Sequence, residues 1–257
     1  MSVELQLAKQ FDYLCENLGE WNGLFSRYDS RMAVISQSWS KLELSQAENK
    51  DSLDFRLRLW NVENTTTTDE PDRDIRRQWD SFDRDLIYFP GGAFCASTVE
   101  IKEEETSQVE VSFIKNDKRH RHVFWFDQDQ GFYRRTLIRE VKGHELILNN
   151  EVLNTTPMLG RWRGSQTVVN DQSWPHSTMA EIEMEIDLHL LKSLILFPDG
   201  GAAKLPSSVD LDRAFEIESF WMCNPQSLQR CLVTYSAGGL WQSTSFTAME
   251  KLSSACH

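Results

Sequence analysis

Apolar residues Leu7, Phe11, Leu14 and Leu18 recur at spacings of four, three and four, which predicts one helix over residues 3–18. Gly19 ends it, because glycine enters the left-handed turn without steric cost. Beyond Gly19 the dominant period is two. Across residues 180–190, Ala180, Ile182, Met184, Ile186, Leu188 and Leu190 alternate with Glu181, Glu183, Glu185, Asp187 and His189. A helix would scatter those charges around its circumference, whereas a strand gathers them on one wet face. The same period predicts strands at 54–62, 109–114, 120–126, 132–140, 215–222, 230–235 and 240–246, with hairpin turns at 127–131 and 237–239. Short strands at this spacing describe an all-β chain with one N-terminal helix, its antiparallel meanders closed as barrels or folded as sandwiches.

An internal repeat organises those strands. Leu18-Gly19-Glu20-Trp21-Asn22-Gly23 returns as Leu159-Gly160-Arg161-Trp162-Arg163-Gly164, displaced by 141 residues (18 to 159). Leu86-Ile87-Tyr88-Phe89-Pro90 returns as Leu194-Ile195-Leu196-Phe197-Pro198, displaced by 108 (86 to 194), as do the residues from Gly131 and Gly239. Three matches in the same order describe two copies of one unit. The fall in displacement places an insertion of about 33 residues in the first copy. The insertion is expected near 64–85, as an exposed loop containing Thr65–Thr68 and a helical turn around 75–79. The expected domains are 1–148, the helix and a barrel with the insertion, and 149–257, a shorter second repeat.

Composition narrows the chemistry. A formal charge of −12 argues against a general nucleic-acid binder, and 40% hydrophobic residues with 9 Trp argue against disorder. No apolar run approaches the roughly 20 residues that span a bilayer, so no transmembrane segment is expected. Residues 1–20 carry Glu4, Lys9, Asp12 and Glu16 in place of a leader pattern, and the 5 cysteines are scattered; a cytoplasmic setting is the expectation.

Gly19-Glu20-Trp21 and Gly160-Arg161-Trp162 each open a first strand, where glycine permits close approach and the indole plugs a barrel end. This resembles the lipocalin-like, or calycin, superfamily. The run Trp21–Tyr28, the segment Phe197-Pro198-Asp199-Gly200-Gly201, and Glu218, Trp221, Arg230, Tyr235 and Trp241 resemble more closely a cyanobacterial and plastid family of unknown function on that fold. The resemblance implies tandem antiparallel lipocalin-like β-barrel repeats and a photosynthetic cell. The architecture is also distantly similar to the phycobiliprotein lyases, without a lyase motif.

Two groups are candidate ligand-binding residues. Arg56, Arg58 and Trp60 share one strand face, opposite Phe55, Leu57 and Leu59. They form either a cationic, aromatic wall for a ligand carboxylate or a strand whose arginines face water. Glu218, Trp221, Arg230, Tyr235 and Trp241 come from three consecutive strands, and alternation forbids all five from lining one cavity. Their alternatives are a pocket wall or a buried Glu–Arg pair that sets strand register. His120 and His122 alternate among Lys118, Arg119 and Arg121, which reads as a solvated basic strand and not as a metal site. No metal and no cofactor are called for, and no serine sits in a nucleophile elbow.

The leading functional expectation is binding or chaperoning of a small hydrophobic or conjugated molecule, such as a tetrapyrrole, carotenoid or lipid, inside a barrel. The alternatives are an enzyme, such as a bilin-type chromophore lyase or an isomerase or cyclase, and a scaffold with filled barrels whose acidic faces dock a basic protein partner. Catalytic residues and oligomeric state stay open.

Overall fold

A computed structural model describes residues 3–47, 52–62, 70–79, 83–129 and 131–252. They form two antiparallel sheets in two compact units. One unit comprises Met1–Ser97, Thr106–Phe126 and Phe132–Ile147; the other comprises Thr98–Glu105, Asp127–Gly131 and Leu148–His257.

The first unit has α1 (Val3–Cys15), β1 (Gly19–Asp29), β2 (Val34–Gln46), β3 (Leu53–Asn61), β4 (Arg73–Trp79), β5 (Leu86–Tyr88), β6 (Phe94–Ser97), β7 (Ser107–Lys115), β8 (Lys118–Asp127) and β9 (Gly131–Lys142). Its spatial order is β4-β3-β2-β1-β9-β8-β7-β6-β5. The last strand returns to pair with the first, as in an up-and-down barrel, and the sheet is open between β4 and β5. The second unit has β10 (Gly160–Asn170), β11 (Ser177–Ile186), α2 (Leu188–Lys192), β12 (Ile195–Leu196), β13 (Gly201–Lys204), β14 (Phe215–Asn224), β15 (Ser227–Tyr235) and β16 (Trp241–Lys251). Its order, β11-β10-β16-β15-β14-β13-β12, is that of the first sheet with β3 and β4 removed.

The duplication extends to individual bonds. Gly19 and Gly160 both take positive φ, 123° and 116°. The indole N–H of Trp21 donates to the Asn17 carbonyl at 2.8 Å, and that of Trp162 to the Met158 carbonyl at 2.7 Å. Lys142 Nζ lies 5.4 Å from the Trp21 ring centroid, and Lys251 Nζ lies 5.5 Å from that of Trp162. Two residues on, Gly23 and Gly164 let the neighbouring strand close in. A Cβ on Gly164 would lie 1.9 Å from the Ala248 carbonyl oxygen on β16. Because that contact is backbone, no side-chain rotation relieves it, and Gly164→Ala should lower stability by about 2–3 kcal/mol in urea titration.

Several expectations are corrected. The insertion is the β3–β4 hairpin, and 75–79 is strand, not helical turn: Leu53–Leu59 pairs antiparallel with Arg73–Trp79. The charges of that segment look like a loop, yet Arg73, Ile75, Arg77 and Trp79 alternate with Asp74, Arg76 and Gln78 on opposite faces. Thr65–Thr68 lie outside the described residues. The alternation at 180–190 is strand only to Ile186; there Asp187 Oδ1 accepts from the Leu190 N–H at 2.8 Å and caps α2. Strand β2, absent from the expected strands, pairs along its length with β1. The most buried residues of the helical segment include Gln10, Leu14 and Asn17. The Gln10 amide both accepts from the Tyr88 N–H and donates to its carbonyl, at 2.7 and 3.0 Å, so a side chain stands in for a strand on the edge of β5.

The histidine strand is not solvated. His120 and His122 are 1% and 0% exposed, on the face of β8 opposite Arg119 and Arg121, with ring centroids 5.0 Å apart. Burial first, and then His120, push His122 well below the ordinary histidine range. The folded state therefore holds it neutral while the unfolded chain protonates below about pH 6.5. Stability should fall as pH drops from that value, by up to about 1.4 kcal/mol per pH unit. In His122→Phe, which suits the edge contacts to Phe113 and Phe124, that slope should vanish from acid titrations followed by denaturant unfolding. Cys15, Cys95, Cys223 and Cys231 are unbridged, and Cys256 lies outside the described residues.

Candidate functional site

The first sheet curls around a cavity of about 700 Å³. Because strands alternate, every lining strand except the short ones contributes residues two apart: Phe25 and Arg27 from β1, Phe55 and Leu57 from β3, Arg121, Val123 and Trp125 from β8, and Arg134, Thr136 and Ile138 from β9. Strand β4 adds Arg73, Ile75, Arg77 and Trp79, and Tyr88 and Phe94 complete an aromatic wall. The volume lies within the range of small-molecule sites.

Charge is distributed unevenly along this cavity. Toward the Trp21 end, Arg121 donates to Glu110 at 2.7 Å and to both Glu140 oxygens at 2.9 Å. Arg119 also donates to Glu140, at 2.7 Å, and to Asn17 at 3.1 Å, while its guanidinium lies 4.2 Å from the Trp21 ring. Burial alone would raise the Glu140 carboxyl, but the charges of Arg119 and Arg121, with their hydrogen bonds, hold it at about 2. That end is neutralised.

Toward the Asp29 end of β1 the cavity presents arginines without acids. Burial first, and then the charges of Arg134 and Arg73, push the Arg27 guanidinium below its usual value, so Arg27 is repelled by both neighbours. Among the described residues none of the three forms an ion pair. Asp72, next to Arg73, accepts from the Asn61 N–H at 2.6 Å. Arg134 stacks 4.5 Å from the Trp125 ring, and its buried Nε has no hydrogen-bond acceptor among the described residues. In total the lining holds Arg27, Arg73, Arg77, Arg121 and Arg134 against the single carboxylate of Glu110, within a chain of formal charge −12.

The second copy does not repeat this lining. Strand register puts Val168 where Arg27 stands, Ser243 for Arg134 and Thr234 for Trp125. A cavity of about 440 Å³ there is lined by Lys204, Glu216, Glu218 and the stacked pair Phe215 and Tyr235. At the Trp162 end, Met249 and Leu228 replace Glu140 and Arg119 in an apolar cluster.

The sequence candidates fall in several places. Arg56 binds Asp74 at 2.9 and 3.1 Å and approaches Glu43 at 4.0 Å, on the face opposite Phe55 and Leu57. Arg58 pairs with Glu43 at 2.9 Å and, with Trp60, lines a separate cavity of about 610 Å³ beside Trp39 and Lys41. Arg230 donates to Glu218 at 2.5 Å. This pair occupies the same diagonal position as Arg121 and Glu110. Of the remaining three, Tyr235 lines the smaller cavity, while the Trp221 indole donates to the Asp199 carbonyl and that of Trp241 to Thr244. Gly19, Trp21, Gly160 and Trp162 stand at the strand entries described above. Arg27 lies in the run Trp21–Tyr28 and Arg134 in the repeat from Gly131, but nothing in the sequence marks either, or Arg73 or the Glu110–Glu140 network, as a site residue. The repeat does carry a signal for part of that network: Glu218 lies 108 residues beyond Glu110, the displacement of the other matches, and Arg230 lies 109 beyond Arg121.

No helix among the described residues is long and apolar enough to cross a membrane. A search of curated proteins gives no match. Residues 187–252 match the C-terminal domain described as biogenesis factor required for ATP synthase 1. The chain is similar to the crystal structure of a protein of unknown function of the DUF3598 family from Nostoc punctiforme, with a TM-score of 0.81, 21% identity, and coverage of 95% of this chain and 99% of that one. An S-type phycobiliprotein lyase from Guillardia theta aligns over 99% of both chains at 11% identity, with a TM-score of 0.20. Residues 7–145, more than half of the chain, match the N-terminal domain of unknown function DUF3598, and the chain therefore belongs to the DUF3598 family.

Proposed function

We propose that the cavity of the first unit binds a small molecule with a hydrophobic or conjugated body and an anionic group. The observation that carries this reading is the cluster Arg27, Arg73 and Arg134, three cations without a carboxylate partner among the described residues, at one end of an aromatic-lined cavity. Repulsion of Arg27 by Arg73 and Arg134 disfavours such a cluster without a ligand, and an incoming carboxylate or phosphate relieves it through charge-assisted hydrogen bonds. Phe25, Phe55, Trp79 and Trp125 supply apolar faces for the body of the ligand. Burying about 400 Å² of apolar ligand surface yields on the order of 10 kcal/mol gross, from which association takes at least about 4 kcal/mol. The remainder, at most about 6 kcal/mol, corresponds to a dissociation constant of tens of micromolar, suited to carrying or chaperoning a ligand. A cytoplasmic setting belongs to the same proposal, supported by the unbridged state of the described cysteines.

The test is retention. The purified chain is incubated with a pigment and lipid extract of a cyanobacterium, re-isolated by gel filtration and analysed by absorption and by the masses released on denaturation. A stoichiometric molecule bearing a carboxylate or phosphate is expected. A bare protein after two different extracts would overturn the proposal.

A further inference from the structure

The duplication supplies a template for a partner. In the first unit the outer edge of β2 is covered by β3, with Glu43 opposite Arg56, Lys41 opposite Arg58 and Trp39 opposite Trp60. On one face both arginines reach Glu43; on the other, Phe55 and Leu57 pack on Trp21, Leu42 and Leu44. The equivalent of β2 in the second unit is β11, since Trp162 faces Met184 as Trp21 faces Leu42. Nothing equivalent to β3 and β4 follows it: the chain passes from β11 through α2 to β12. Among the described residues, strand β11 is the end of its sheet and pairs with β10 alone.

Protected edge strands usually carry lysine, proline or a bulge. From Ser177 to Ile186 there is neither lysine nor proline, and the register to β10 runs without a shift. Met179 is 62% exposed, and Glu181, Glu183 and Glu185 are exposed on one face. On the other face Ile182 and Met184 are only half-buried, without the cover that Phe55 and Leu57 give in the first copy. Glu183 is engaged by Arg161 and Arg163 of β10, whereas Glu181 and Glu185 form no ion pair among the described residues.

We propose that β11 is a docking edge for an extended protein segment with Arg or Lys at alternate positions and aliphatic or aromatic residues between them. The segment adds to the sheet as an antiparallel strand, as β3 adds to β2. Main-chain hydrogen bonds hold it, its basic side chains face the row Glu181, Glu183 and Glu185, and its apolar side chains cover Ile182 and Met184. A second copy of β11 is excluded as the occupant, because glutamates would then face glutamates.

The probe is a labelled peptide of the sequence Leu53–Asn61 added to the full-length chain, with binding followed by fluorescence anisotropy at low salt. Saturable binding is expected, weakened at least about tenfold in the double variant Glu181→Lys with Glu185→Lys. A peptide with Glu in place of both arginines should bind that variant and not the parent chain. Circular dichroism melts establish that the variant is folded, as these exposed positions lead one to expect. Absence of saturable binding, equal binding to both proteins, or failure of the charge-swapped pair to recover overturns the proposal.

Discussion

Glu140→Met is expected to lower stability by about 3–5 kcal/mol, and adding Arg119→Leu to restore most of that loss. The Glu140 side chain is fully buried and binds two guanidiniums, of which Arg119 is 1% exposed. Removing the carboxylate leaves Arg119 as a buried charge against the Asn17 side-chain oxygen and the Trp21 ring, with no ion-pair partner among the described residues. Removing both groups leaves Arg121 its bond to Glu110 and reproduces the apolar pair Met249 and Leu228, which the second copy uses at the same place. Replacing a buried ion pair with well-packed apolar residues is often neutral or stabilising, so the second unit is a ready-made control. Urea unfolding of the parent, single and double variants measures the effect; a double variant as unstable as the single would refute this account. Acid gives an independent reading. With a folded value of about 2 against 4.5 in the unfolded chain, the Glu140 contribution is complete above pH 4.5 and is lost as pH falls toward 2. That loss amounts to about 3 kcal/mol and should be absent from the double variant.

Arg27→Gln combined with Arg134→Gln is expected to move binding and stability in opposite directions. Each charge-assisted hydrogen bond contributes roughly 1.5–3 kcal/mol, so losing two weakens an anionic ligand by about two to four orders of magnitude. Stability of the empty protein should hold or rise slightly, because the charges removed repel one another. Titration with anilinonaphthalene sulfonate, an anion with a conjugated body, measures the first effect through tryptophan quenching; thermal melts measure the second. A variant that binds as before frees the arginines of any ligand role, and one that melts earlier makes them structural.

How far the sequence could be read depended on period and repetition. The strands around 180–186, 215–222, 230–235 and 240–246 and the Gly-x-Trp entries follow from spacing alone. The β3–β4 hairpin did not, since its second strand is so rich in charge that alternation is hidden: five of seven positions from Arg73 to Trp79 are charged or amide side chains. Similarly, Gln10 and Asn17 look like surface residues of a helix. They are buried because each meets backbone carbonyl or N–H groups from residues some 75 positions away. Arg56 and Arg58 are visible as a pair on one face, but periodicity is blind to which face turns inward.

From the sequence alone came the fold class, the helix followed by antiparallel strands, the two-copy organisation and an acidic chain rich in aromatic residues, because local alternation and self-similarity survive without knowledge of distant contacts. Tertiary structure alone decided which alternating set lines a cavity, and with it the site. Arg27, Arg73 and Arg134 are 46 and 61 residues apart in succession, and only the curl of nine strands makes them neighbours. Inward and outward faces obey the same period of two; the sign of the curvature, set by how all the strands pack together, chooses between them.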